Sequence, residues 1–80
     1  MLLIEIADSS LKYDRAVKRP LYASHGIPEF WIVDVGGQVV EVCRTPTDDG
    51  YASVTRATAG DTLVPSLLPC VAIAVTALLG

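Results

Sequence analysis

Two side chains near the start of this 80-residue chain are of the right type to do chemistry on a phosphate ester. Glu5 interrupts the apolar run Leu2-Leu3-Ile4-Glu5-Ile6. A carboxylate inside such a run costs several kcal/mol unless it is paired, hydrogen-bonded or bound to a cation. The plainer alternative is that Glu5 points to solvent from an edge strand. Lys18 is the second candidate. By itself it reads as a solvated helix lysine whose stem lies along apolar surface. Beside Glu5 it gains another reading, because an ammonium next to a carboxylate-bound metal can orient water and stabilise developing phosphorane charge.

These two residues need a strand and a following helix to hold them. Leu2–Ile6 is rich enough in branched residues for a buried strand. Asp8-Ser9-Ser10 supplies helix-start chemistry, since their oxygens can accept the first orphan N–H groups. Leu11, Val17, Leu21 and Tyr22 then fall at roughly helical spacing up to His25. Pro20 removes a backbone donor, so a kink or break is expected near Arg19. Gly26 suits the position that ends the helix. Lys18 lies one turn before Leu21 and Tyr22, so the face that docks on the sheet carries its stem inward.

Beyond the helix, Phe30–Asp34 reads as an aromatic, β-branched strand. Gly36-Gly37 reads as a hairpin turn, and 38–44 as the alternating return strand. A polar loop is expected from Thr45 to Gly50 and a third antiparallel strand from Tyr51 to Thr58. After an irregular stretch, Val71–Val75 reads as a short strand leading into one helical turn. The order is β-α-β-β-β with a short tail. It describes one α+β domain over residues 1–80, with a mostly antiparallel sheet and neither internal repeats nor a linker.

Composition narrows the function classes. The net charge is −3, and 51% of the residues are hydrophobic, a high share for so short a chain, which points to a dense core or an apolar face covered by a partner. Lys12, Arg15, Lys18 and Arg19 form the sole basic cluster, which excludes tight non-specific DNA binding by the chain alone. Cys43 and Cys70 lack metal-ligand spacing and His25 is the single histidine, so zinc is not expected. The two thiols read as reduced in a cytoplasmic protein. The opening lacks a basic signal-peptide region. The apolar tail from Leu67 to Leu79, with Pro65 and Pro69 as turn signals, falls short of the roughly 20 residues of a membrane span.

The stretch LLIEIADSSLKYDRAVKRPLYASHGIPEFWIVD, with VVEVCR, YASVTRA and LVPSLLP after it, resembles the Uma-two family of bacterial proteins. That family was long catalogued as a domain of unknown function, with a fold like restriction endonucleases of the PD-(D/E)XK type. The likeness runs from Leu2 to Leu79. Its most specific parts are the spacing of Glu5, Asp14, Lys18 and Tyr22, and Gly26-Ile27-Pro28-Glu29 leading into Trp31 and Asp34. The resemblance implies an aspartate, a glutamate and a lysine around Mg²⁺, acting on DNA. Glu5 stands at the glutamate position, as metal ligand and catalytic residue, and Lys18 at that of a lysine migrated onto the helix.

The family aspartate belongs to an earlier strand, and only four residues precede Glu5. The resemblance therefore implies a truncated restriction-endonuclease-like domain that lacks its N-terminal strands and is weak or inactive alone. Asp8 could reach in from the strand end, although a helix N-terminal charge is the plainer reading. Asp14 and Asp34 read as structural or surface groups, and Tyr22, Phe30 and Trp31 as core. Without those strands Leu2–Ile6 is an apolar edge that seeks a partner, either a second copy or an upstream polypeptide completing the sheet. Two further readings stay open. One is a non-catalytic remnant acting as an oligomerising or interaction module, and the other is a module whose site is completed by a partner chain carrying the aspartate.

Overall fold

A computed structural model of the chain describes residues 2–7, 14–66, 68 and 70–79. The strand β1 (Leu2–Ala7) comes first, and a π-helical turn (Asp14–Lys18) runs directly into α1 (Arg19–Ser24). The strands β2 (Glu29–Asp34), β3 (Val39–Thr47) and β4 (Gly50–Thr58) follow. Two short strands, β5 (Thr62–Leu63) and β6 (Ile73–Ala74), and the helix α2 (Val75–Leu79) complete the order. This is the expected α+β arrangement. The expected helix start at Asp8-Ser9-Ser10 lies outside the described residues.

The main sheet has the order β1-β2-β3-β4. β1 runs parallel to β2, which the helical crossover between them requires. The other two pairings are antiparallel hairpins. β5 and β6 form a separate antiparallel pair.

Both faces of the sheet are covered, so β2 is buried along its whole length. On one face Phe30, Ile32, Cys43 and Tyr51 pack with Ala23 of α1. On the other Trp31, Val33, Val40, Val42 and Ala57 pack with Val75 of α2. The molecule is thin across the sheet, 16 Å against 32 and 31 Å, so each face carries a single covering layer. A polar residue in the buried part of β3, such as Glu41, therefore lies under a helix rather than in water.

The break expected near Arg19 is a change of helix type. The wider π turn gives way to α-helix at Arg19, which puts Pro20 in the first α turn, where its missing N–H costs nothing. Gly26 (φ 71°) closes α1 as expected: its N–H donates to Ala23 O at 2.9 Å and the Ile27 N–H to Tyr22 O at 3.1 Å.

Two turns differ from expectation. The positive φ of the β2–β3 turn falls on Gln38 (55°), not on the glycine pair. Gly37 is needed for space, because a Cβ there would stand 2.4 Å from Asp34 Oδ2. The polar stretch after Arg44 stays in β3 as far as Thr47, leaving only Asp48 and Asp49 as the turn. Pro46 is tolerated because that end of the strand lies at the sheet's periphery. Thr45 bends the chain there through a left-handed φ of 61°.

Candidate active site

Side chains alternate along β1, and Glu5 falls on the face covered by the helical segment. Lys18 Nζ donates to Glu5 Oε2 at 2.8 Å, and the Tyr22 hydroxyl donates to Oε1 at 3.0 Å. Lys18 and Tyr22 are four residues apart, which puts them on one stripe of the helix. The Tyr22 ring meets Phe30 edge-on, with centroids 5.0 Å apart, and this contact fixes where its hydroxyl sits. The Glu5 side chain keeps 23% of its exposure and Lys18 31%, so the pair is reachable from solvent.

Each carboxylate oxygen has about two lone pairs. Lys18 and Tyr22 therefore leave Glu5 with acceptor capacity for a cation. Mg²⁺ takes one or two carboxylates together with waters and substrate phosphate. Glu5 suits the part of one such ligand. Among the described residues no three Asp, Glu, His or Cys side chains come together as a metal site, so an ion held by Glu5 would take its other ligands from water and substrate phosphate. Asp8, the other carboxylate that could approach, lies outside the described residues.

A second carboxylate lies on the same face. Glu41 of β3 is buried and accepts bonds from Arg15 Nε (2.8 Å), Arg15 Nη2 and Arg19 Nη2. Burial pushes its carboxyl up, but the Arg15 hydrogen bond and the charges of Arg15 and Arg19 outweigh that and hold it below the ordinary value. Beside it, burial pushes the Cys43 thiol up against the opposing charge of Arg19. That makes Cys43 a packed thiol rather than a nucleophile. Burial and Cys43 together raise the Tyr51 phenol to about 12. Its hydroxyl donates to Ile27 O at 2.7 Å, tying β4 to the loop after α1.

The opposite face carries a third carboxylate. Glu29 is 1% exposed and accepts from the Trp31 indole, Arg44 Nε and the Ser66 N–H, each at 2.8 Å. Burial raises its carboxyl, yet these three donors bring the net shift below the ordinary value. Arg44 also donates to Val64 O, so the cluster fastens the segment after β5 to the sheet.

The structure thus brings Glu5 and Lys18 into contact and adds Tyr22, which the sequence reading had placed in the core. Phe30 and Trp31 are core, as expected. Asp34 is structural: it is largely buried and accepts the Gly37 N–H at 2.9 Å. The Asp14 side chain lies outside the description. Glu29 enters the sequence reading only as part of the Gly26-Ile27-Pro28-Glu29 motif, and Glu41 only as a residue of its strand. Glu41 had a readable signal in Arg15 and Arg19, two cations at i,i+4 aimed at a strand with one acid.

Among the described residues no helix is long and apolar enough to cross a membrane. Comparison with known proteins matches residues 1–76 to the family model Uma2, described as "Putative restriction endonuclease". No curated protein matches the chain.

Proposed function

The chain belongs to the Uma2 family, and on that premise we propose that it serves a metal-dependent endonuclease reaction, the hydrolysis of DNA phosphodiester bonds. The observation that supports this reading is the contact of Glu5 with Lys18, a solvent-reachable ion pair at the strand-to-helix crossover. Mg²⁺ at such a site would polarise the phosphate and lower the pKa of a bound water. Glu5 is the ligand this chain offers, and Tyr22 and Lys18 hold its carboxylate plane. Lys18 places a positive charge where negative charge would build on phosphorus. Because Glu5 is a single carboxylate ligand, cleavage by the chain alone is weak. Its unpaired thiols, Cys43 and Cys70, fit a reducing cytoplasm.

A metal-dependent nicking assay on supercoiled DNA tests the proposal, comparing the chain with Glu5→Ala and Lys18→Ala. Slow Mg²⁺-dependent nicking that disappears in both variants is the expected result. No nicking by the parent chain at any divalent concentration would favour a second reading, that of a non-catalytic interaction module. That reading is favoured by the lack of a complete group of ligands among the described residues.

A further inference from the structure

We propose that Lys18 and Tyr22 hold Glu5 in different ways. The Lys18 ammonium occupies the carboxylate as a resident cation that an incoming divalent ion displaces, while Tyr22 is the positioning residue whose hydroxyl keeps the carboxylate in place throughout. The inference rests on the reading of Glu5 as an ion ligand and concerns how that ligand is kept ready. Lys18 Nζ lies 2.8 Å from Glu5 Oε2, and the Tyr22 hydroxyl 3.0 Å from Oε1. The ammonium cancels the charge that would attract an ion. Two cations on one carboxylate also oppose each other through the same Coulomb term that binds either of them alone. The phenol hydroxyl carries no charge, so it donates to Glu5 whether or not an ion is present.

Side-chain mechanics point the same way. A lysine is a compact charge on a flexible four-carbon stem. Lys18 keeps 31% of its exposure, so its head can leave Glu5 for water or phosphate without being stranded. Tyr22 has no such freedom. Its ring stands edge-on to Phe30, with 82° between the planes, and packs against the cluster that holds Phe30, Ile32 and Ala23. Its carbonyl accepts the His25 and Ile27 N–H groups where α1 ends. Glu41, on the same face, shows the opposite arrangement. Arg15 meets one of its oxygens through two nitrogens, Arg19 meets the other, and the side chain is 4% exposed. Planar guanidinium forks in a closed site hold a carboxylate permanently. One acid is thus fastened and the other exchangeable, because a lysine and a neutral hydroxyl stand where the first has two arginines.

Binding of Mn²⁺, read from the electron paramagnetic resonance of the free ion, tests this on the full chain and on Lys18→Met, Tyr22→Phe and Glu5→Gln. Each variant keeps the stem or ring of the side chain it replaces, and retained folding is checked by the fluorescence of Trp31, which is buried on the opposite face. Lys18→Met is expected to bind Mn²⁺ about two- to fivefold more tightly than the parent, the gain from removing a half-exposed ion pair. Tyr22→Phe should bind on the order of tenfold more weakly, as happens when a group that orients a metal ligand is lost. Glu5→Gln should lose the site. Equal or weaker binding by Lys18→Met, or parent-like binding by Tyr22→Phe or Glu5→Gln, overturns the proposal. The nuclease reading fails separately. The expected order of affinities with no nicking by the parent removes the reaction and leaves the exchange standing. Nicking that is lost in Glu5→Ala and Lys18→Ala, with no gain of affinity in Lys18→Met, does the reverse.

Discussion

Glu5 of β1 and Glu41 of β3 stand in one row across the sheet, both paired in register with Ile32 of the strand between them. Each accepts hydrogen bonds from the same short helical segment. Lys18 and Tyr22 serve Glu5, while Arg15 and Arg19 serve Glu41. The segment thus straddles Ile32 and fastens to the sheet on both sides. The two acids differ in exposure, and that sets what each can do. Glu41 is closed off by its arginines and holds the layers together, whereas Glu5 remains within reach of solvent and ligand.

The partial exposure of the Glu5–Lys18 pair makes its role separable from folding. Exposed and half-exposed ion pairs contribute about 0–1 kcal/mol. Lys18→Ala is therefore expected to lower stability by less than about 1 kcal/mol, read as a small shift of the urea midpoint. Under the proposed function the same variant abolishes nicking. A large loss of stability would instead make Lys18 a structural residue.

Glu41 should behave in the opposite way. Removing one member of a buried charged group costs about 3–5 kcal/mol. Among the described residues the Nε of Arg19 is already buried without a hydrogen-bond partner, so little slack remains for rearrangement. Glu41→Gln should thus bring this small domain close to unfolding at room temperature. The same group gives the chain an acid-sensitive stability. The carboxyls of Glu41 and Glu29 lie below the ordinary value of 4.5 in the folded chain and return to it on unfolding. The unfolded chain therefore binds protons first. Stability from both groups is complete above pH 4.5 and is lost as the pH falls through their folded values. Urea midpoints should be level from neutrality down to that region and then drop. A midpoint that rises on acidification would contradict the assigned pairing.

Much of this architecture is legible in the sequence because the local signals agree. Pro20 and Gly26 bracket the α-helical part of the crossover, and the runs 30–34, 38–44 and 51–58 announce their strands. The contact between Glu5 and Lys18 follows from an acid in a strand and a lysine on the inward stripe of the next helix. Glu29 and Glu41 were harder to read, because strand alternation assigns an acid to the wet face. That rule fails where both faces are covered, and the covering of the second face depends on α2, which sits more than forty residues after Glu29. The role of Gly37 depends likewise on where the Asp34 side chain folds back, which residue type alone does not determine.

The two turn glycines should respond differently to alanine. At Gly26 an added Cβ meets nothing within 4 Å, so Gly26→Ala costs only the left-handed backbone conformation, about 1 kcal/mol. At Gly37 the Cβ would collide with Asp34 Oδ2, and the hydrogen bond that closes the turn would be lost as the carboxylate moved away. Gly37→Ala should cost about 1–3 kcal/mol, as overpacking does. Equal melting shifts for the two variants would show that Asp34 swings aside freely.

Glu29 should control the docking of the C-terminal segment, and Trp31, the chain's single tryptophan, reports on it. Among the described residues the carboxylate meets three donors, the Trp31 indole, Arg44 and the Ser66 N–H. In Glu29→Gln an amide N–H₂ must therefore be set against at least one of them, and a bond is replaced by a donor–donor contact. Leaving buried polar groups unsatisfied costs about 1–3 kcal/mol each. The penalty falls where Ser66 and Arg44 tie the segment after β5 to the sheet, whereas the helix-side cluster of Phe30, Ile32 and Ala23 shares none of these bonds. Release should therefore be local. Limited proteolysis of Glu29→Gln is expected to cut beyond Leu63 well before the rest of the chain is degraded. Trp31 emission should shift to the red as water reaches the indole once covered by that face. Cleavage spread evenly along the chain would show that the two faces unfold together and that Glu29 is no separate fastening.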